Sequence, residues 1–358
     1  MKPTQIFSVL SLAKKVREQD RTFNPCFVSP PGLGKSEIVQ QWAREQGYGF
    51  VDLRAALLEA PDLIGFPTIV NKEGRQRTEH ALPDYWPDEN TNTKGVMFLD
   101  EVNRGTTSVM NCFMQLLTDR KVKDYKLPAG WIIVAAINPE NEQHDVNAMD
   151  AALKDRLEFF EVEYDKKTHL QYMETTGYHQ ILQLFIESGA WQYSRPEEIS
   201  NVAGSKYLSP RTFSKLNNAL LAGIPDDMEL IVYDSILGTL MGRAFFQFKN
   251  NDQPVTFEEM QKNMKKAMKR LSSFCNPENY KTGHVSITQR SLLENEKQVK
   301  DEMLYEVILA IGPEQAMGLI RELEFKRKVE AGSLLNKLTT EYSDLVKYFR
   351  NTLAKEKK

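Results

Sequence analysis

The sequence has little of what would assign it to a special class. Three cysteines in 358 residues, Cys26, Cys112 and Cys275, lie far apart with no metal-ligand spacing, so no disulfide framework is expected. Cys26 and Cys112 sit in apolar runs and read as small core residues. No stretch approaches the ~18 consecutive apolar residues of a membrane span. The N-terminal MKPTQIFSVLSLAKK turns polar too soon for a signal peptide. Together these absences predict a soluble chain in a reducing cytoplasm. Nor is there an excess of one charge: 46 Lys and Arg against 49 Asp and Glu leave a formal net charge of -3, which implies no polyanionic partner. The one dense positive cluster, Lys262 to Arg270 (KNMKKAMKR), reads first as a solvated helix face and second as a nucleic-acid contact. No internal repeat or low-complexity tract is present. What remains is 41% hydrophobic and 27% charged, long enough for two or three domains.

Five runs in the first half are apolar almost throughout: 26–29, 49–53, 96–100, 131–138 and 158–164. Such runs read as strands buried on both faces of a sheet. Helical patterns fall between them, at 36–46, 107–118 and 147–157, and this alternation predicts an α/β fold with a parallel five-stranded sheet. The interval between the second and third runs is too long for a plain connection and predicts an insertion at about 54–92, with a polar turn at Asn71 to Gly74. Beyond Asp165 the periodicity is helical, with a Pro210 break ahead of a helix near Phe213 to Leu221. The polar stretch Lys249 to Pro254 marks a further boundary. The expected division is an α/β core at 1–165, an α-helical lid at 166–250 and a helical C-terminal region at 251–358.

The sharpest motif is SPPGLGKS, Ser29, Pro30, Pro31, Gly32, Leu33, Gly34, Lys35 and Ser36, directly after an apolar strand and before a helix. Gly32 and Gly34 let the backbone turn its amides towards phosphate oxygens, and the helix N-terminus adds its dipole. Lys35 reaches the β- and γ-phosphates, and the Ser36 hydroxyl suits a magnesium ion. The consensus has Gly where this chain has Ser29. A second buried strand ends in Asp100 and Glu101, a costly pair unless something uses it. Asp100 suits magnesium and Glu101 the attacking water, although two acids at a strand end also serve as helix caps. Asn138, at the tip of a third strand, falls within reach of the γ-phosphate, or else forms a turn with Pro139. Arg156, before the last strand, and Arg211, at a helix start, read by spacing alone as solvated surface residues.

The order SPPGLGKS, MFLDEVNRG, GWIIVAAINPE, MDAALKDRLEFFEV and LSPRTF resembles the MoxR-like, helix-2-insert branch of AAA+ ATPases over roughly residues 5–245. The resemblance implies ATP hydrolysis with Mg2+. Residues 29–36 would be the phosphate loop, Asp100 and Glu101 the acidic pair and Asn138 the first sensor. Arg156 would be a finger offered to a neighbouring subunit, with Arg104 its rival, and Arg211 a second sensor. It further implies a homo-oligomeric ring, usually of six, with two hairpins facing the ring centre. One lies near Asn71 to Arg77; the other, Arg120 to Trp131, carries Lys121, Lys123, Tyr125 and Lys126. The partner it implies is a protein, commonly one with a von Willebrand factor A domain. The leading expectation is therefore a chaperone-type remodelling motor. A nucleic-acid translocase or replication-associated ATPase is the alternative. A non-hydrolysing ring is disfavoured by the intact Lys35, Asp100, Glu101 and Arg156.

Overall fold

The computed structural model describes all residues except 82, 88–92, 124, 140–148, 200–203, 252, 277–279 and 356–358. Two compact units emerge, Met1–Tyr172 with Tyr193–Leu216, and Met173–Gln192 with Asn217–Lys358. The first unit holds strands β1 (Pro25–Val28), β2 (Gly49–Arg54), β3 (Phe66–Lys72), β4 (Arg75–Ala81), β5 (Lys94–Asp100), β6 (Lys121–Val122), β7 (Tyr125–Lys126), β8 (Gly130–Ile137) and β9 (Glu158–Glu161). β2, β5, β8, β1 and β9 pair in that order, every neighbour parallel.

Helices covering both faces of this sheet explain the apolar runs of the inner strands β1, β5 and β8. The edge strands depart from the expectation, β2 being fully buried only at Leu53 and β9 exposing Phe159 and Glu161, because an edge strand has a neighbour on one side only. Helices in chain order begin with α1 (Ile6–Glu18), α2 (Lys35–Glu45), α3 (Ala60–Ile64), α4 (Thr107–Asp119), α5 (Ala151–Lys154), α6 (Lys166–Thr175), α7 (Gln180–Glu187) and α8 (Pro210–Ala222). Alternate strand residues face opposite ways. Phe27, Val96, Phe98, Ile132 and Val134 join a core with Ile6 and Leu10 of α1 and Trp42 of α2. Cys26, Met97, Leu99, Ile133 and Ala135 join another with Phe113 and Leu116 of α4. Each Val, Leu, Ile, Phe or Met among them contributes about 1.5–3 kcal/mol by leaving water, so a polar substitution on either face is costly.

Between β2 and β5 the chain makes α3 and the antiparallel hairpin β3–β4, whose two-residue turn puts Glu73 at φ 54° and Gly74 at φ 74°. Positive φ at both positions matches the twist of a hairpin. β6 and β7 form a second, short hairpin. Two expectations are corrected here. The helix predicted at 147–157 starts only at Ala151, because the Asp150 carboxylate caps it by accepting from the Ala152 amide, and it ends at Lys154; residues 147–148 lie outside the described residues. Pro210 does not break the chain ahead of a helix but opens α8, where its missing N–H costs nothing.

The second unit holds α7, the end of α8, and α9 (Glu229–Leu237), α10 (Thr239–Asn251), α11 (Phe257–Lys262), α12 (Met264–Phe274), α13 (Thr282–Glu294), α14 (Asp301–Ile311), α15 (Pro313–Arg327), α16 (Ser333–Glu341) and α17 (Ser343–Lys355). α11 to α17 share one core that includes Leu271, Leu304, Ile308, Leu323 and Leu338. Arg290 of α13 grips both carboxylate oxygens of Glu187 on α7. No helix among the described residues is long and apolar enough to cross a membrane.

Candidate functional site

The loop Ser29–Gly34 leaves the C-terminal tip of β1 and enters α2. Gly32 and Gly34 take φ of 85° and 84°, a region closed to most side chains. Gly32 is constrained by space as well, since a Cβ there would stand 2.3 Å from the Ser209 hydroxyl oxygen. Lys35 opens α2 and is 9% exposed. Its ammonium donates to the Ser29 carbonyl at 2.8 Å and to the Ser29 hydroxyl at 2.9 Å, so the residue that departs from the consensus glycine holds the lysine in place. Burial pulls the Lys35 ammonium down to about 8, against the opposing pull of the Asp100 carboxylate.

Asp100 ends β5 beside the tip of β8, and the Ser36 hydroxyl donates to its carboxylate at 3.1 Å. Burial raises the Asp100 pKa, partly offset by this hydrogen bond and by Lys35. Glu101 follows at φ 52°, a left-handed conformation rare for a residue with a Cβ. It opens the 3-10 turn Val102–Arg104, and Arg104 returns to lie 3.3 Å from each Glu101 carboxylate oxygen. Asn138 is 8% exposed at the tip of β8. Asn103, which the sequence reading passed over, is fully buried and donates to the Asn138 carbonyl at 2.9 Å. Its only advance signal was a polar residue one turn past an acidic pair.

Arg211, in the first turn of α8, reaches the same loop: its amide donates to the Gly32 carbonyl at 3.3 Å. The Tyr207 hydroxyl donates to the Pro31 carbonyl at 2.9 Å. Beside this loop opens a cavity of about 400 Å³, lined among others by Phe7, Ile38, Tyr164, His169, Tyr172 and Arg211. Burial pushes the His169 imidazole down to about 4, so it is neutral, with the Tyr164 hydroxyl 3.1 Å from its Nδ1. Neither Tyr207 nor His169 stood out in the sequence, because the loop that Tyr207 meets and the cavity that His169 lines are built from residues far away along the chain, and Ser209 entered only as part of LSPRTF.

Arg156 is elsewhere. It precedes β9, whose first residue pairs with Pro25 at the start of β1, whereas Ser29 follows the end of β1. Four strand residues, roughly 13 Å, separate these ends. Its guanidinium donates to the Thr118 hydroxyl at 2.5 Å and to the Ala152 carbonyl. Ser29, Lys35, Ser36, Asp100, Glu101, Asn138 and Arg211 thus gather at one end of the sheet, with Arg156 at the other.

Residues 25–157 match the family of AAA domains of the dynein-related subfamily. That segment covers less than half of the chain and takes in the strand, loop and acidic pair described above. Among solved structures, the chain is similar to RuvB of Thermotoga maritima, a Holliday junction branch migration motor, at 15% identity over 84% of each chain with a TM-score of 0.37. A variant of that RuvB is 13% identical, covering 87% of each chain with a TM-score of 0.39. No curated protein matches the chain.

Proposed function

We propose that the chain is a magnesium-dependent ATPase working as an oligomeric ring on a macromolecular partner, a remodelling motor of the MoxR-like kind. The observation that carries this reading is the meeting of Ser36 and Asp100 at 3.1 Å, beside the buried Lys35 and next to a loop whose Gly32, Leu33 and Gly34 line a cavity of about 400 Å³. Hydroxyl and carboxylate are the hard oxygen donors that suit Mg2+. Among the described residues no three His, Cys, Asp or Glu side chains gather to hold a metal, so an ion here relies on phosphate oxygens and water, as Mg2+ commonly does. Bound there, the ion would neutralise charge on the transferring phosphoryl group.

The residues divide the remaining work. Lys35 meets the β- and γ-phosphates and Arg211 approaches from α8 of the same subunit. Glu101 orients and polarises the attacking water, with Asn138 beside it. The nucleoside end occupies the cavity between Phe7, Ile38 and Tyr172. Arg156, remote from its own chain's loop, serves a neighbour's nucleotide, which makes the ring necessary for turnover. The hairpins β3–β4 and β6–β7 meet the partner, where Lys123 approaches His80 at 3.2 Å. Residues 251–358 suit docking of an accessory protein, one with a von Willebrand factor A domain under this reading.

The test begins with ATP binding, which Lys35→Ala should abolish. Glu101→Gln should bind ATP yet lose about 10²–10³ in turnover. With ATP-Mg the Glu101→Gln protein should sediment as a closed ring, most simply a hexamer; a monomer at micromolar concentration counts against the ring. A nucleic-acid motor is the second reading. It is favoured by Lys262 at the end of α11 and Lys265, Lys266 and Lys269 of α12, four exposed lysines that make no ion pair among the described residues. The short basic helix expected at 262–270 is broken at Asn263. Stimulation of turnover by DNA, falling steeply with salt, would select this second reading over the first.

A further inference from the structure

Asn103 has the burial of a core residue and the chemistry of none. It is 0% exposed in the 3-10 turn between the acidic pair and α4. Its Nδ2 donates to the Asn138 carbonyl at 2.9 Å, while its Oδ1 is buried with no hydrogen-bond partner among the described residues. Turning the amide over would set that oxygen against the carbonyl, so the side chain has one usable orientation. An amide oxygen buried without a donor destabilises a fold. Leucine, of similar shape, would fill the space without that penalty. Packing therefore does not explain an asparagine here, whereas its hydrogen bond does.

That bond joins two otherwise separate elements. The turn Val102–Arg104 begins at Glu101, held at φ 52° and closed by the Arg104 amide donating to the Glu101 carbonyl at 2.8 Å. The strand tip carrying Asn138 belongs to β8, which pairs with β5 only as far as Leu99 with Ala135. Past that point the sheet no longer fixes the two tips against each other. We infer that Asn103 is a positioning residue: it ties the turn bearing Glu101 to the tip bearing Asn138, so that the water-orienting carboxylate and the side chain facing the γ-phosphate keep one separation. This rests on the ATPase reading above. A displacement of about 1 Å between such groups is enough to lower turnover roughly 10²-fold without touching the bound phosphates.

The experiment uses the full chain with ATP and Mg2+, reading nucleotide affinity and single-turnover hydrolysis separately. Asn103→Leu removes the donor at similar size, and Asn103→Asp removes it at equal size. Each should bind ATP within about threefold of wild type and hydrolyse it roughly 30- to 100-fold more slowly. In an Asn138→Ala background, Asn103→Leu should add less than about threefold, because the contact it positions is already gone. Wild-type hydrolysis in either variant overturns the inference, as do effects of the two sites that multiply in full. Loss of ATP binding or of folding in both variants overturns it too, making Asn103 a structural residue. Glu101→Gln, run alongside, separates the two levels. If that variant is inactive while Asn103→Leu is not, only the positioning role falls. If Glu101→Gln hydrolyses ATP normally, the ATPase reading fails and the inference falls with it.

Discussion

Lys35 in the first unit and Glu324 in the second are both buried charges, and they are held in opposite ways. Glu324, 4% exposed, accepts from the amides of Gly332 at 2.9 Å, Leu334 at 3.0 Å and Leu335 at 3.4 Å. These are the orphan donors at the start of α16, whose N-cap Gly332 has no side chain to meet them. The carboxylate therefore completes a helix and is itself completed. Lys35 donates to two neutral oxygens of Ser29, and burial weakens its ammonium. A charge with a full set of partners stabilises the fold. The Ser29 oxygens leave part of the Lys35 ammonium's donor capacity and all of its charge open to an anion that arrives later. The two ends of the sheet repeat this contrast, since the candidate residues gather at one end and Arg156 stands alone at the other.

The sharpest way to break that contrast is to ask which end belongs to which active site. Arg156→Ala should lower turnover by about 10³–10⁵, the range for an arginine finger. Mixing Arg156→Ala with Lys35→Ala subunits should restore part of it, because an intact Arg156 then faces an intact loop next door. Arg211→Ala mixed the same way should restore nothing, since both defects lie in the site a subunit builds for itself. Rescue in the second mixture and not the first would exchange the two roles. Rescue in neither, with mixed rings verified, would move the finger to Arg104.

The effect expected at Glu324 is smaller. Glu324→Ala leaves three helix-start amides without their acceptor and should cost about 2–4 kcal/mol in denaturant unfolding. ATP affinity of the folded protein should not change. A loss of affinity comparable to that of Lys35→Ala would erase the distinction between the two charges.

The smallest effect is the dependence of binding on pH. The Lys35 ammonium is lowered from 10.5 to about 8 in the folded chain, so the folded state holds its proton less tightly than the unfolded state does. Its contribution is unfavourable below pH 8 and is relieved as pH rises from about 8 to 10.5. ATP needs the charged form. Affinity should therefore be flat up to about pH 7 and fall above 8, approaching tenfold per pH unit. Lys35→Arg should flatten that fall, because guanidinium stays charged. An affinity unchanged to pH 9.5 in the wild type would mean Lys35 retains an ordinary ammonium.

How much of this was readable in advance follows from the range of each signal. The inner strands were legible because a strand buried on both faces has no polar positions, and 96–100 and 131–138 show none before their tips. The edge strands β2 and β9 were legible only from their aromatic and β-branched residues, since each keeps polar or exposed positions. The Asn71 to Gly74 turn was legible because Gly74 takes a φ few other residues accept. Local capping already limits such reading. Asp150 starts α5 later than the periodicity suggested, because one side-chain bond to a backbone amide outweighs a weak helical pattern. The candidate site was legible where neighbours in sequence are neighbours in space, as in residues 29–36 and at Asp100 with Glu101. What only the tertiary structure decided are the contacts across long separations: Ser209 in the space where Gly32 lacks a Cβ, Tyr207 on Pro31, Asn103 on Asn138 and the stranding of Arg156 at the far end of the sheet. Helix and strand patterns arise from a side chain's own backbone geometry and repeat along the chain. Such pairings instead depend on which two surfaces the packing of the sheet and its helices brings together, and a single occurrence of that kind leaves no period to read.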